Sequence, residues 1–121
     1  MKTNNDNSLM TIDAAGESLG RVASRAAAIL RGKTAVTFRR HILPSVRVKI
    51  VNAGQIKIAS SKFAGKIYKR YSGYPGGLHF ETLGAKLARC GAASVFRLAI
   101  KRMLPANKLR DRILKNLTVE N

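Results

Sequence analysis

The chain has 121 residues, of which 45% are hydrophobic, and its 23 lysines and arginines outnumber its six acidic residues to give a net charge of +17. This length fits one domain, and a hydrophobic content near the globular average excludes general disorder as the origin of the charge. Residues 21–115 hold 22 of the basic residues and two of the acidic ones, so the charge belongs to the folded body. Such a surface predicts a polyanionic partner, most commonly nucleic acid, because bound phosphates release condensed counterions.

Features of secreted and membrane proteins are missing from the sequence. The longest apolar run, residues 26–30, is far shorter than a membrane span. Residues 1–8 are polar and lack the apolar segment of a secretory signal, so we expect a flexible N-terminus before a single domain over residues 9–121. The single cysteine, Cys90, excludes an internal disulfide framework and fits a reducing compartment. We expect a cytoplasmic protein, or one of an organelle matrix.

The N-terminal third predicts a strand followed by a helix. A short strand is expected over Leu9–Asp13, and a helix between an N-capping Ser18 and a stop at Gly32. At 100° per residue, this helix has one apolar face for the core. Arg21 and Arg25 lie on the opposite face.

A basic connection and a second strand follow. Residues 34–44 contain three consecutive residues that can contact phosphates, Arg39, Arg40 and His41. The run VRVKIV at 46–51 predicts a strand that alternates at first and becomes buried on both sides at its end. For residues 55–59 the pattern does not decide between a further short strand and no regular structure.

The second half of the chain predicts a loop and three helices. Residues 71–78, YSGYPGGL, contain three glycines and a proline and are typical of a loop. Helical patterns follow over residues 81–89, 92–103 and 107–117, and a proline separates the last two. Strand, helix and strand followed by further helices predict an α/β domain.

No motif supports catalysis or metal binding. The triplet at residues 32–34, Gly-Lys-Thr, is similar to the end of a phosphate-binding P-loop, but Ala27 stands where that loop needs a glycine. The triplet also closes a helix, whereas a P-loop opens one. Cys90, His41 and His79 lie too far apart in sequence for a metal site, so we expect no cofactor and no metal.

The segment KIYKRYSGYPGG at 66–77 is the most informative one. Cations alternate with Tyr68, Tyr71 and Tyr74 before a run of glycines. Tyrosines can stack on unpaired bases, cations can hold phosphates, and glycines allow close backbone approach. Each tyrosine can equally pack the loop onto the core. Since aromatic residues are 6% of the chain, we expect recognition by phosphate contact and shape rather than a broad stacking platform.

Four segments occur in an order that matches a known family: DAAGESLGRVASRAAAILRGK at 13–33, VNA at 51–53, KIYKRYSGYPGG at 66–77 and MLPANKL at 103–109. Together they resemble the family of large-subunit ribosomal protein thirteen, in its bacterial or organellar form, over residues 9–119. The resemblance implies a three-layer α/β/α single domain with a small, mainly parallel central sheet. It also implies a structural constituent of the large ribosomal subunit that binds large-subunit rRNA early in assembly and is not an enzyme.

The sequence departs from the family pattern at four places. Residues 43–46 read Leu-Pro-Ser-Val instead of a D-x-G-D turn, and Arg102 replaces a glycine before Met-Leu-Pro. Tyr71 replaces a histidine of the Tyr-rich loop. Family members continue beyond the position of Asn121 through a histidine-containing tail, so we expect contacts from that tail to be lost.

The resemblance and the charge layout together predict the RNA-binding residues. They lie on the first helix and its exit, the following connection, the Tyr- and Gly-rich segment and the C-terminal helices. They are Arg21, Arg25, Lys33, Arg39, Arg40, His41, Lys62, Lys66, Tyr68, Lys69, Arg70, Gly73, Tyr74, Gly76, Gly77, Lys101, Arg102, Lys108, Arg110 and Arg112.

The expected partners are large-subunit rRNA and neighbouring large-subunit ribosomal proteins, with no membrane, small-molecule substrate or homo-oligomer. One alternative is a free regulatory RNA-binding protein that represses translation of a specific message. Another is a small phosphate-ester enzyme that uses Lys33 or His79. An anionic-membrane binder is more distant, since the apolar faces are needed for the core.

Overall fold

A computed structural model describes residues 8–36 and 38–121 and contains a central sheet of three parallel strands. These are β1 (Leu9–Asp13), β2 (Arg47–Val51) and β5 (Leu117–Val119), in the order β1-β2-β5. In this register Ile12 lies opposite Ile50, and Ile50 lies opposite Val119. The strand predicted over Leu9–Asp13 is confirmed, and the second strand is confirmed with its start at Arg47.

The remaining elements surround this sheet. They are helix α1 (Leu19–Leu30), a 3-10 helix (Ala53–Gln55), helix α2 (Ser60–Gly65), strands β3 (Ile67–Tyr71) and β4 (Leu78–Thr82), helix α3 (Leu83–Met103) and helix α4 (Leu109–Leu114). Strands β3 and β4 pair antiparallel as a separate hairpin. Among the described helices, none is long and apolar enough to cross a membrane.

The hydrophobic core lies on one face of the central sheet. Val48 and Ile50 are fully buried there against α1 and α3, which also pack against each other. On the other face, Thr11, Arg47 and Thr118 are exposed. The predicted single-domain α/β fold with a small, mainly parallel sheet is confirmed.

Helix α1 has the predicted bounds and ends in a Schellman motif. The Gly32 N–H donates to the Ile29 carbonyl at 3.0 Å, and the Lys33 N–H donates to the Ala28 carbonyl at 3.2 Å. This motif needs a left-handed residue after the helix, and Gly32 supplies it with φ +80°. A Cβ there would also lie 3.2 Å from Pro44 Cγ, so both the backbone conformation and a tight contact disfavour a side chain. At the other end Ser18 is the N-cap, but its side chain makes no capping bond.

Helix α3 is broken at Gly91, which separates the two helical patterns that the sequence predicts there. Gly91 has φ +79° and ψ 172°, a conformation that is essentially confined to glycine. The first half begins at Leu83 rather than at Glu81, because Glu81 and Thr82 belong to β4. The Thr82 hydroxyl accepts the Ala85 N–H at 3.2 Å and caps the helix.

Two other predictions are wrong, and the strand left open over residues 55–59 does not form. The 3-10 helix Ala53–Gln55 is followed there by a single isolated β-bridge, which pairs Lys57 with Ser18. The last helix stops at Leu114, because Leu117 pairs with β2 and completes the sheet. Val51 is half-buried rather than buried on both sides.

The predicted loop over residues 71–78 is shorter than expected. Tyr71 and Leu78 face each other in the last pair of the β3–β4 hairpin, so only residues 72–77 form the turn. Two predictions fall partly on residues that the structure does not describe. The flexible N-terminus includes residues 1–7, and the basic connection includes Thr37; both lie outside the described residues.

Candidate nucleic-acid interface

Three cations, two from α3 and one from the residue between α2 and β3, lie within 6 Å of the ring centroid of Tyr68. Lys66 Nζ lies 5.7 Å, Lys86 Nζ 5.4 Å and Arg102 Cζ 5.5 Å from the ring centroid. We call these four residues the Tyr68 cluster. The negative face of an aromatic ring attracts such cations. Lys86 and Arg102 belong to the two halves of α3, so the break at Gly91 lets both reach one ring.

The first cleft lies on one side of the Tyr68 cluster and has a volume of about 620 Å³. Its cationic lining combines Arg21 at the start of α1, Lys57, Lys62 of α2, and Lys66. The first turn of α1 contains no acidic residue, so its N–H groups and positive dipole end add to this charge. The cleft therefore offers converging donors to an anion as large as an RNA backbone segment.

The second cleft has a volume of about 560 Å³ and is also lined by Tyr68. The hairpin contributes Lys69, Arg70, His79 and Phe80 to its lining, and α3 contributes Lys86, Arg89, Leu98 and Arg102. Tyr68 is thus the residue that the linings of the two clefts share.

One acidic residue, Glu81, lines the second cleft, and it is paired with Arg89. Arg89 donates from Nε to Glu81 Oε1 at 2.8 Å and from Nη2 to Oε2 at 2.9 Å, which joins β4 to α3. The hydrogen bonds from Arg89 lower the pKa of Glu81 below its ordinary value. Its charge is thus compensated within the protein, and the cleft keeps a positive balance.

The phenol of Tyr68 stays neutral at physiological pH. Burial raises the pKa of Tyr68 above its ordinary value, although the nearby Arg102 charge acts in the opposite direction. A neutral ring keeps the quadrupole that holds the surrounding cations. Tyr68 is half-buried, and its ring contacts Lys66, Lys86 and Arg102.

The structure brings together seven of the predicted RNA-binding residues along the two clefts: Arg21, Lys62, Lys66, Tyr68, Lys69, Arg70 and Arg102. Arg102 therefore joins the hairpin surface, not the separate surface expected on the C-terminal helices. Arg25 is one helical turn from Arg21 but does not line either cleft. Its Nη2 donates to Glu17 Oε2 at 2.6 Å.

The other predicted residues lie away from the two clefts. Lys33, Arg39, Arg40 and His41 are exposed in the connection after α1. Gly73, Tyr74, Gly76 and Gly77 form the hairpin turn, where Tyr74 is 75% exposed. Lys101, Lys108, Arg110 and Arg112 line neither cleft and lie along the end of α3 and on or beside α4.

Sequence reasoning missed three cations and one ring. Lys57, Lys86 and the Glu81-paired Arg89 line the clefts, and Lys69 Nζ lies 5.9 Å from the centroid of Phe80. Apolar and polar residues alternate in LHFET at 78–82, which predicts a strand that pairs with β3 across the turn. This pattern was the signal that could have placed Phe80 in the hairpin. Lys86 carried no such signal, because it reaches Tyr68 through tertiary packing alone.

Comparison with known proteins supports the resemblance over nearly the whole chain. The family model described as ribosomal protein L13 matches residues 7–119. The chain is 45% identical over 108 residues to large ribosomal subunit protein uL13 of Symbiobacterium thermophilum, covering 89% of this chain and 75% of that protein. It is 42% identical to uL13 of Staphylococcus carnosus and 44% identical to uL13 of Listeria welshimeri, with 89% of this chain and 74% of each relative covered. The chain belongs to the ribosomal protein L13 family.

Proposed function

We propose that the chain is a structural protein of the large ribosomal subunit, that it binds large-subunit rRNA through the two clefts beside Tyr68, and that it supports early subunit assembly. Its site of action is then the ribosome, its other partners are neighbouring large-subunit proteins, and it performs no catalysis. Membership of the L13 family supports the ribosomal role, since the relatives are large-subunit proteins by name.

The observation that carries the RNA-binding proposal is the convergence of cations on Tyr68 from separate elements. Arg21, Lys62 and Lys66 come from or next to α1, α2 and β3, and Lys86 and Arg102 come from the two halves of α3. The folded core holds these charges at fixed separations, so they can contact phosphates that are distant in the rRNA sequence. Each charge-assisted contact contributes about 1.5–3 kcal/mol, and the contacts add counterion release.

Charge reversal in the first cleft tests the proposal. We expect Arg21→Glu with Lys62→Glu to lower the affinity for large-subunit rRNA by about tenfold or more, since two phosphate contacts become repulsive. Both side chains are exposed, so the fold should persist. Filter binding at about 0.1 M salt measures the affinity, and sucrose gradients of cell extract measure incorporation into large subunits.

The matched control is Arg47→Glu with Arg97→Glu, which changes the net charge equally at exposed residues outside both clefts. This control should lose less than about threefold in affinity, as expected from long-range charge alone. Equal losses in both variants would show that the clefts have no special role. A wild-type chain found mainly in light fractions of the gradient would favour the free regulatory RNA-binding protein instead.

A further inference from the structure

The β3–β4 hairpin has two chemically different faces. From the register, one face carries Tyr68, Arg70, His79 and Glu81 and is directed toward α3, where Glu81 pairs with Arg89. We call the opposite side the outer face; it carries Ile67, Lys69, Tyr71, Leu78, Phe80 and Thr82, and its Lys69 and Phe80 also border the second cleft. The hairpin therefore turns its polar side toward the protein and its apolar side outward, the reverse of ordinary amphipathic packing.

Large apolar side chains on the outer face are exposed. Tyr71 is 65% and Phe80 58% exposed, and Ile67 and Leu78 are about half exposed. Tyr71 pairs directly with Leu78, and Lys69 pairs with Phe80, so the two rings are diagonal neighbours across the strands. Diagonal positions are about 7–8 Å apart, which leaves each ring open on one side. Contiguous exposed apolar surface of this kind marks an interaction site.

Charge decides which partner fits this face. Lys69 lies between Ile67 and Tyr71 along β3, and its ammonium group is 5.9 Å from the Phe80 ring. Arg70 belongs to the opposite face, so Lys69 is the cation that the register places on the outer face; Glu81 is the one acid in the hairpin and is paired with Arg89. A surface that combines exposed rings with a cation between them complements nucleotides, which present a flat base and a phosphate, better than an uncharged apolar protein surface.

We infer that the outer face of the hairpin binds an unpaired RNA segment, with one base stacked on Phe80, a second on Tyr71, and the phosphate between them held by Lys69. This inference rests on the proposed rRNA-binding function and adds that the hairpin takes single-stranded rather than duplex RNA. The sequence predicts recognition by phosphate contact and shape rather than by a broad stacking platform. The inference modifies this prediction by adding one small stacking site, made of two rings, beside the phosphate-binding clefts. Exposed bases stack on such rings without sequence preference.

The native tyrosines provide a direct readout. The chain contains no tryptophan, and its three tyrosines, Tyr68, Tyr71 and Tyr74, all lie in the hairpin. Intrinsic fluorescence therefore reports on this element alone. We expect a short oligouridine to quench it at about 0.1 M salt, and a blunt RNA duplex without unpaired nucleotides to quench it less.

The deciding variant is Tyr71→Leu with Phe80→Leu, which keeps the face apolar and removes both rings. Anisotropy of labelled oligouridine should show an affinity at least about tenfold lower, since each stacked base contributes strongly. The matched control, Leu78→Ala, removes apolar surface from the same face without removing a ring and should change the affinity less than about threefold. Because all three side chains are at least half exposed, the urea midpoints should match the wild type.

The outcomes separate this inference from the proposed function. If the wild type binds large-subunit rRNA but not oligouridine, the stacking site is overturned and the rRNA-binding function stands. If the leucine variant binds oligouridine as well as the wild type does, stacking is also overturned, and the outer face is left for an apolar protein partner. If the wild type binds neither RNA, both proposals fail.

Discussion

Asn52 is the one described non-glycine residue with a positive φ, at φ 57° and ψ 37°. It directly follows β2, and its side-chain amide donates to Asp13 Oδ1 at 3.0 Å. The same oxygen accepts the Ala15 N–H at 2.9 Å, and these hydrogen bonds lower the pKa of Asp13. Asparagine tolerates the left-handed conformation better than most residues, so one side chain both permits the turn and ties the ends of β1 and β2 together.

We expect Asn52→Ala to destabilise the protein more than Asn52→Gly. Alanine at a left-handed position costs about 1–2 kcal/mol, and the hydrogen bond to Asp13 is also lost. Glycine keeps the backbone conformation at no steric cost and loses only the side-chain bond. Urea unfolding measures the difference, and equal midpoints for the two variants would contradict the backbone argument.

The sequence pattern does not predict this arrangement, although VNA at 51–53 is one of the segments that carry the family resemblance. Hydropathy shows which side chains are buried, but it carries no information about φ at a residue outside a regular element. The Gly32 stop was predictable, because an amphipathic helix that reaches a glycine has a standard ending.

At the scale of elements, predictions succeeded where the apolar residues of a segment are buried in the core and failed where they are exposed or where strand pairing overrides the pattern. Helix α1, with twelve residues and one buried apolar face, was predicted with its ends, and strands β1 and β2 were predicted as well. The hairpin was missed, because the apolar outer face of β3 and β4 is exposed. Leu117 was assigned to a helix, because Leu109, Ile113 and Leu117 share a helical spacing that pairing with β2 overrides.

The break in α3 allows a test at this scale. We expect Gly91→Ala to destabilise the protein by about 1–3 kcal/mol, since its conformation is confined to glycine although a Cβ would meet no atom within 4 Å. The variant should also weaken rRNA binding, because Lys86 and Arg102 reach Tyr68 from opposite sides of the break.

The control is Gly20→Ala, a glycine of α1 whose φ is negative and whose Cβ would also meet no atom within 4 Å. Alanine there should be neutral or stabilising by up to about 1 kcal/mol, since it favours the helix. Urea midpoints compare the two variants. A Gly91→Ala protein as stable as the control variant would mean that the break is not needed.

For the whole molecule, the net charge of +17 opposes folding and favours binding. Among the described residues, three acids form ion pairs, Glu17 with Arg25, Glu81 with Arg89 and Glu120 with Lys49. Most cations therefore have no acidic partner within the protein. The overall charge is evident from the composition, which also predicts a polyanionic partner, but the convergence of cations on Tyr68 depends on the tertiary fold.

Salt should therefore act in opposite directions on the free protein and on its RNA complex. Raising sodium chloride from about 0.05 to 0.5 M screens the self-repulsion and should raise the Tm of the free protein. The same change should weaken rRNA binding steeply, because counterion release is lost. Thermal unfolding and filter binding measure the two effects. The double variant Arg47→Glu with Arg97→Glu has a lower net charge, so its Tm should rise less with salt than the Tm of the wild type. A wild-type Tm that falls as salt is added would contradict the self-repulsion argument.

The order of the central sheet has a consequence for synthesis. Strand β2 pairs on one side with β1, residues 9–13, and on the other with β5, residues 117–119. During translation the β1-α1-β2 unit can form early, but its second edge stays open until residue 119 has left the exit tunnel. The nascent chain thus carries its whole cluster of basic residues, from 21 to 115, before the domain can close. If the proposed rRNA-binding function holds, we therefore expect folding and the first encounter with RNA to overlap in time.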